Sequence, residues 1–128
     1  MKNRLLKFAV VGLSATVADL LVYVSLAYFL GLSVVLSKGA GFITGTVLGF
    51  LLNRNWTFGS NQRPAAKFIQ YLSLYTASLF INVSINAVVI SLLGNDLIAK
   101  ALAFIAATLT TASLNFMVLQ GVIFAKRK

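Results

Sequence analysis

Apolar residues run through the chain in four long blocks, about 8–30, 36–58, 68–93 and 98–124, separated by short polar or glycine-bearing stretches. Each block is long enough for a helix rising about 1.5 Å per residue to cross the roughly 30 Å hydrocarbon layer of a bilayer. The pattern predicts an all-α membrane protein, one transmembrane domain over residues 1–128 with four transmembrane helices. The first block follows Lys2, Arg4 and Lys7 and is too long for the core of a cleaved signal peptide. Gly31 to Leu36 is a short connection, Gly59-Ser60-Asn61-Gln62-Arg63-Pro64 is the one clearly polar loop, and Gly94-Asn95-Asp96 turns the chain between the last two blocks.

The second block carries the most information. No charge falls between Lys38 and Arg54, and a helix from Lys38 to Trp56 would span about 27 Å. Gly41, Gly45 and Gly49 recur every fourth residue and Asn53 continues the series, a side-chain-poor stripe that lets a partner helix approach closely. The block closes with Asn53-Arg54-Asn55-Trp56-Thr57-Phe58, which gathers amide donors, a guanidinium and an interfacial aromatic at one membrane surface.

Charge orients the chain. Lys2, Arg4, Lys7, Arg54, Arg63, Lys67, Lys126, Arg127 and Lys128 flank one side of the four blocks, whereas only Lys38 and Lys100 flank the other. Because positive flanks stay inside, both termini and the Arg54–Trp56 cluster are expected in the cytoplasm. The halves also echo one another at a spacing of about sixty residues: Lys38-x-x-x-Phe42-Ile43 with Lys100-x-x-x-Phe104-Ile105, Leu52-Asn53 with Leu114-Asn115, and Lys7-Phe8 with Lys67-Phe68. Two tandem hairpins related as a parallel repeat, by an axis along the membrane normal, are expected.

Composition narrows the chemistry. With 59% hydrophobic and 10% charged residues the chain lacks the polar surface of a water-soluble domain. It contains neither cysteine nor histidine, which removes disulfides, thiolates, imidazole ligands and His-based proton transfer. Its only acids are Asp19 and Asp96, one at mid-span and one in a loop, so no paired-carboxylate site is expected. The chain is not expected to be an enzyme, and no cofactor or metal is expected. The net charge of +9 sits beside apolar runs instead of forming a patch on a polar domain, so a nucleic-acid partner is not expected.

Several polar residues stand out against this background. Asp19 lies near the middle of the first block, where a charge is expensive. It is either a titratable or substrate-sensing group facing the bundle interior or a carboxyl that only fixes helix packing. Arg54, about one turn inside the boundary, offers a planar fork of donors suited to a lipid phosphate, with Asn53, Asn55 and Trp56 beside it; a snorkelling arginine that anchors its helix fits the same position. Tyr71, Tyr75, Ser78, Asn82 and Asn86 form a polar stripe on the third helix, and Thr108, Thr111 and Asn115 are placed similarly on the fourth. Such stripes serve either as hydrogen-bonding glue between helices or as the lining of a polar path.

The opening Lys7-Phe8-x-x-Val11-Gly12-Leu13 with Asp19 seven residues after Gly12, and Asn53-x-x-Trp56-x-Phe58 after a glycine-rich second span, resemble the GtrA-like family of small four-span membrane proteins over nearly the whole chain. The resemblance implies a flippase of the inner (cytoplasmic) membrane. Its cargo would be a polyprenyl-phosphate-linked monosaccharide, used by membrane glycosyltransferases on the outer side to decorate lipopolysaccharide, teichoic acids or arabinan. On that expectation Arg54, Asn53, Asn55 and Trp56 capture the phosphate at the cytoplasmic face, with Arg63 and Lys67 concentrating anions nearby. The sugar follows Ser78, Asn82, Asn86, Thr108 and Asn115, and Lys38 and Lys100 receive the phosphate outside. Asp19 either couples movement to protons or keeps the phosphate from resting midway.

Two other functions fit the same residues. One is a small proton-coupled multidrug-type exporter using Asp19, and the other is a non-transporting membrane partner subunit of a glycosyltransferase. Membrane lipids surround the chain in every case, and a homodimer is expected because four spans enclose little volume and small-residue stripes also pack between subunits.

Overall fold

The computed structural model describes residues 2–61 and 63–125; Met1 and Gln62 lie outside them, as do the terminal Lys126, Arg127 and Lys128 that were counted above for orientation. Among the described residues the regular structure is helical, in the order α1 (Lys2–Val24), α2 (Val34–Leu52), α3 (Pro64–Leu93) and α4 (Leu97–Val118). Three of these helices end in a π-helical turn: Ser25–Phe29 after α1, Asn53–Thr57 after α2 and Leu119–Ile123 after α4. Counting these turns, four stretches are long and apolar enough to cross a membrane: Lys2–Phe29, Val35–Thr57, Pro64–Leu93 and Leu97–Ile123. α1 begins well before the apolar block at Phe8 because Lys2, Asn3 and Arg4 are also helical. Hydropathy marks what can enter lipid, not where the backbone stops coiling.

Local chemistry sets the helix ends. The Ser33 hydroxyl accepts from the Leu36 N–H at 3.3 Å and the Asp96 carboxylate accepts from the Ala99 N–H at 2.7 Å, so α2 and α4 each start on a side-chain cap. Pro64 opens α3 at a position where its missing N–H costs nothing. The π turn that continues α2 is closed off where Gly59 adopts a φ of 57°, a left-handed conformation cheap only for glycine.

The chain divides into two compact units, the α1–α2 hairpin up to residue 61 and the α3–α4 hairpin from residue 63. In the first, Ser37, Gly41, Gly45, Gly49, Asn53 and Thr57 form a buried stripe that steps by four along α2 and its π turn. α1 meets it with Phe8, Val11, Ala15 and Asp19. The approach is close: a Cβ at Gly45 would stand 2.7 Å from the Ala15 carbonyl oxygen, and one at Gly41 would stand 2.6 Å from the Asp19 carbonyl oxygen.

In the second unit the buried stripe of α4 is Ala99, Ala103, Ala107, Thr111 and Asn115, continued by Leu119 and Ile123. α3 faces it with Tyr71 and Ser78 buried and with the Tyr71 and Tyr75 rings stacked at 4.3 Å. Burying apolar surface against a neighbour gains little for a helix already in lipid. Close backbone approach and hydrogen bonds must hold each hairpin, and small residues permit both.

Candidate functional site

In the first unit the polar residues gather at two depths. At the end opposite the Leu30–Ser33 connection, α2 widens into its π turn, and the Phe58 N–H reaches the Asn53 carbonyl at 2.9 Å while the Ser60 N–H reaches the Arg54 carbonyl at 2.8 Å. These bonds resemble a Schellman closure with one extra residue inside the ring, and Gly59 supplies the reversal. Single π turns are frequent at functional sites because they change the phase of the side chains that follow. Here the phase change leaves Asn53, Thr57 and Phe58 buried, Arg54 half-buried and Asn55 and Trp56 exposed.

The turn is cationic and amphipathic, with Arg54 and Lys7 half-buried beside the exposed Asn55 and Trp56. An Arg54 guanidinium N–H donates to the Asn55 side-chain oxygen at 2.9 Å. The Lys7 ammonium, reaching across from α1, donates to the Trp56 carbonyl at 3.3 Å and lies 5.3 Å from the centre of its ring. Arg54, Asn53, Asn55 and Trp56 therefore sit together on one turn. Lys7, which the sequence offered as a marker of orientation and as part of the repeat and the opening motif but not as a site residue, belongs to the cluster. The acid of this unit, Asp19, is far along the hairpin at the level of Gly41. The arrangement can present two cations and an indole to an anionic headgroup at an interface.

Nearer the connection, Asp19 and Lys38 form an ion pair, with the ammonium 3.0 and 2.9 Å from the two carboxylate oxygens. The Lys38 side chain is 60% exposed and the Asp19 side chain 20%. The pairing follows from register. Gly41 lies on Asp19 and Gly45 on Ala15, so each step of four forward along α2 meets a step of four back along α1, and Lys38 lies one turn from that contact. The antiparallel turn between Leu30 and Ser33 is the signal that could have revealed the pair in the sequence.

In the second unit the polar stripes meet each other. Ser78 donates to the Asn115 side-chain oxygen, and the Asn82 amide donates to the Thr111 hydroxyl at 3.2 Å. Asn86 is half-buried and Lys100 is exposed. Thr108 is also exposed, because the buried stripe of α4 steps by four and Ala107 takes the inward place before Thr111. Among the described residues no three of the side chains His, Cys, Asp and Glu come together as a metal ion would need.

The second unit ends much as the first does. Phe124 donates its N–H to the Leu119 carbonyl at 2.8 Å, as Phe58 does to Asn53, and buried phenylalanines flank both turns, Phe50 and Phe58 on one and Phe116 and Phe124 on the other. Between them, Asn53-Arg54-Asn55-Trp56-Thr57 in the first unit is replaced by Leu119-Gln120-Gly121-Val122-Ile123 in the second. The two backbones close alike, while an arginine and a tryptophan occur on the first turn and not on the second. The pairing of Asn53 with Asn115 holds the offset of the buried stripes, whereas the two closures correspond through a shared Phe-x7-Phe spacing, Phe50 to Phe58 and Phe116 to Phe124.

No solved structure matches the chain. The family described as GtrA/DPMS, transmembrane domain, matches residues 7–124, from the lysine that contacts Trp56 to the phenylalanine that closes the last π turn. That match takes in the first membrane-capable helix from residue 7, the other three whole and both π turns just compared, and on it the chain belongs to the GtrA/DPMS transmembrane-domain family.

Proposed function

We propose that this multi-pass membrane protein moves a polyprenyl-phosphate-linked monosaccharide across the cytoplasmic membrane, taking up the phosphate beside Arg54. Family membership ties the chain to membrane processes of polyprenyl-phosphate sugars. The observation that carries the reading further is the assembly of Arg54, Asn55, Trp56 and Lys7 on one π turn at a hairpin end. The isoprenoid tail is at home in lipid, so the barrier lies in the phosphodiester and sugar, whose unpaired polar groups each cost several kcal/mol in hydrocarbon. A cluster that binds the phosphate at the boundary lowers that cost at the first step.

In this reading the two hairpins are a parallel repeat, both termini are cytoplasmic, and only the first hairpin carries the capture site. The similar phenylalanine-flanked closures with different contents support that division. The pairing of the Asp19 carboxylate with Lys38 places a competing cation on the one acid that a multidrug-type exporter would use, which weighs against that reading.

The hydrogen bonds of Ser78 with Asn115 and of Asn82 with Thr111 favour a second reading, a non-transporting partner subunit of a membrane glycosyltransferase, because they use the second unit's polar groups for packing. Reconstitution separates the two. Purified protein in liposomes should move a labelled polyprenyl-phosphate sugar with no enzyme present, and Arg54→Gln should slow it about 10-fold or more, the loss expected for a hydrogen bond to a charged group worth about 1.5–3 kcal/mol. Transport unchanged in Arg54→Gln removes Arg54 from the mechanism, and no transport by the wild type favours the subunit.

A further inference from the structure

The Asp19–Lys38 pair is built unequally. Asp19 is seated: its backbone carbonyl and its carboxylate both pack against Gly41, in the space that a larger residue at 41 would fill, and its side chain is mostly covered. Lys38 reaches over from the outer surface of the hairpin on a flexible four-carbon stem, 60% exposed, with its ammonium 6.0 Å from the Tyr23 ring centre. Asp19 has a short side chain packed against the neighbouring helix, whereas Lys38 can swing away by rotating the bonds of its long stem.

An ammonium in or near hydrocarbon needs an anion, and here two carboxylate oxygens at 3.0 and 2.9 Å supply it. Two oxygens of a phosphate present the same face to a lysine. The second unit provides a contrast, because Lys100 is exposed and the acid nearest it in sequence, Asp96, caps the α4 N-terminus through the Ala99 N–H.

We propose that Lys38 is a second phosphate-binding residue and that Asp19 is its resident counter-anion, which holds the ammonium when no headgroup is present and competes the phosphate off afterwards. The inference rests on the reading that a phosphate-headed lipid is the cargo, and it adds a release step at the hairpin end opposite Arg54. Lys38 exchanges one anion for another and is never left unpaired, so neither state carries an isolated ammonium. The freed Asp19 carboxylate makes the loaded state the less stable one. This limits how tightly the headgroup is held and drives Lys38 back.

The test measures binding of farnesyl phosphate to the full chain in nanodiscs, with farnesol as the uncharged control and inorganic phosphate as the control for a free anion. Asp19→Asn keeps the side-chain shape and removes the competitor, so farnesyl phosphate should bind about 10-fold more tightly. Lys38→Gln should bind it correspondingly more weakly, and the double variant should match Lys38→Gln. In the wild type, the Lys38 ammonium nitrogen resonance should shift on adding farnesyl phosphate and not farnesol; this readout needs no variant to fold.

Weaker or unchanged binding in a folded Asp19→Asn protein overturns the proposal, as does an unmoved Lys38 resonance. If inorganic phosphate shifts the resonance as strongly as farnesyl phosphate, the site takes a free anion and the lipid assignment is lost. Binding lost in Arg54→Gln but indifferent to Asp19 and Lys38 leaves the capture site standing and removes this one. Failure of the wild type to bind farnesyl phosphate at all sinks both.

Discussion

Replacing Gly45 by alanine sets two effects of known size against each other. In a helix, alanine is favoured over glycine by about 1 kcal/mol, so on propensity alone the variant should gain stability. The new methyl group, however, would lie 2.7 Å from the Ala15 carbonyl oxygen and 3.1 Å from the Asp19 Cβ. The first neighbour is backbone and cannot rotate aside. α1 and α2 must therefore separate by roughly half an ångström or more, and overpacking of this kind costs about 1–3 kcal/mol.

Gly39 is the matched control, since it lies on the same helix and a Cβ there would meet nothing within 4 Å. Gly39→Ala should collect the propensity gain alone. The difference between the two variants then isolates the clash, and Gly45→Ala should fall below Gly39→Ala by about 1–3 kcal/mol in denaturant unfolding of the detergent-solubilised protein. Trp56 is the only tryptophan and lies at the end of α2, so its fluorescence reports opening of this hairpin. Equal midpoints for Gly45→Ala and Gly39→Ala would refute the claim that the glycine stripe holds the two backbones together.

Lys7→Ala removes the donor to the Trp56 carbonyl and the cation near its ring, so Trp56 emission should shift to the red with a stability loss of about 0.5–1 kcal/mol, checked by fluorescence and unfolding; an unshifted spectrum would show that the two do not meet. Asn115→Ala should destabilise the second hairpin by about 0.6–1.7 kcal/mol, and combining it with Ser78→Ala should add much less than the sum, because both remove the same bond; additive losses in thermal unfolding would deny the pairing. Thr108→Val should be neutral in the same assay, as its side chain is exposed on α4, whereas Thr111→Val should cost about as much as Asn115→Ala.

Much of this protein is set by what each residue does locally. The four helices follow from apolar length, their starts from Ser33, Pro64 and Asp96, and the close of the π turn after α2 from Gly59, because hydropathy, capping and left-handed backbone act over a turn or two. The Asn53–Trp56 group was legible for the same reason: its members are neighbours in the chain and share one turn. The tertiary structure alone decided which distant polar groups meet. Lys7 reaches Trp56, Lys38 is held by Asp19, and Ser78 and Asn82 bond to Asn115 and Thr111, because small residues every fourth position let antiparallel helices settle in one register. A shift of one residue would rotate each of those side chains by about 100° and part every pair, and no property of a single helix specifies that register.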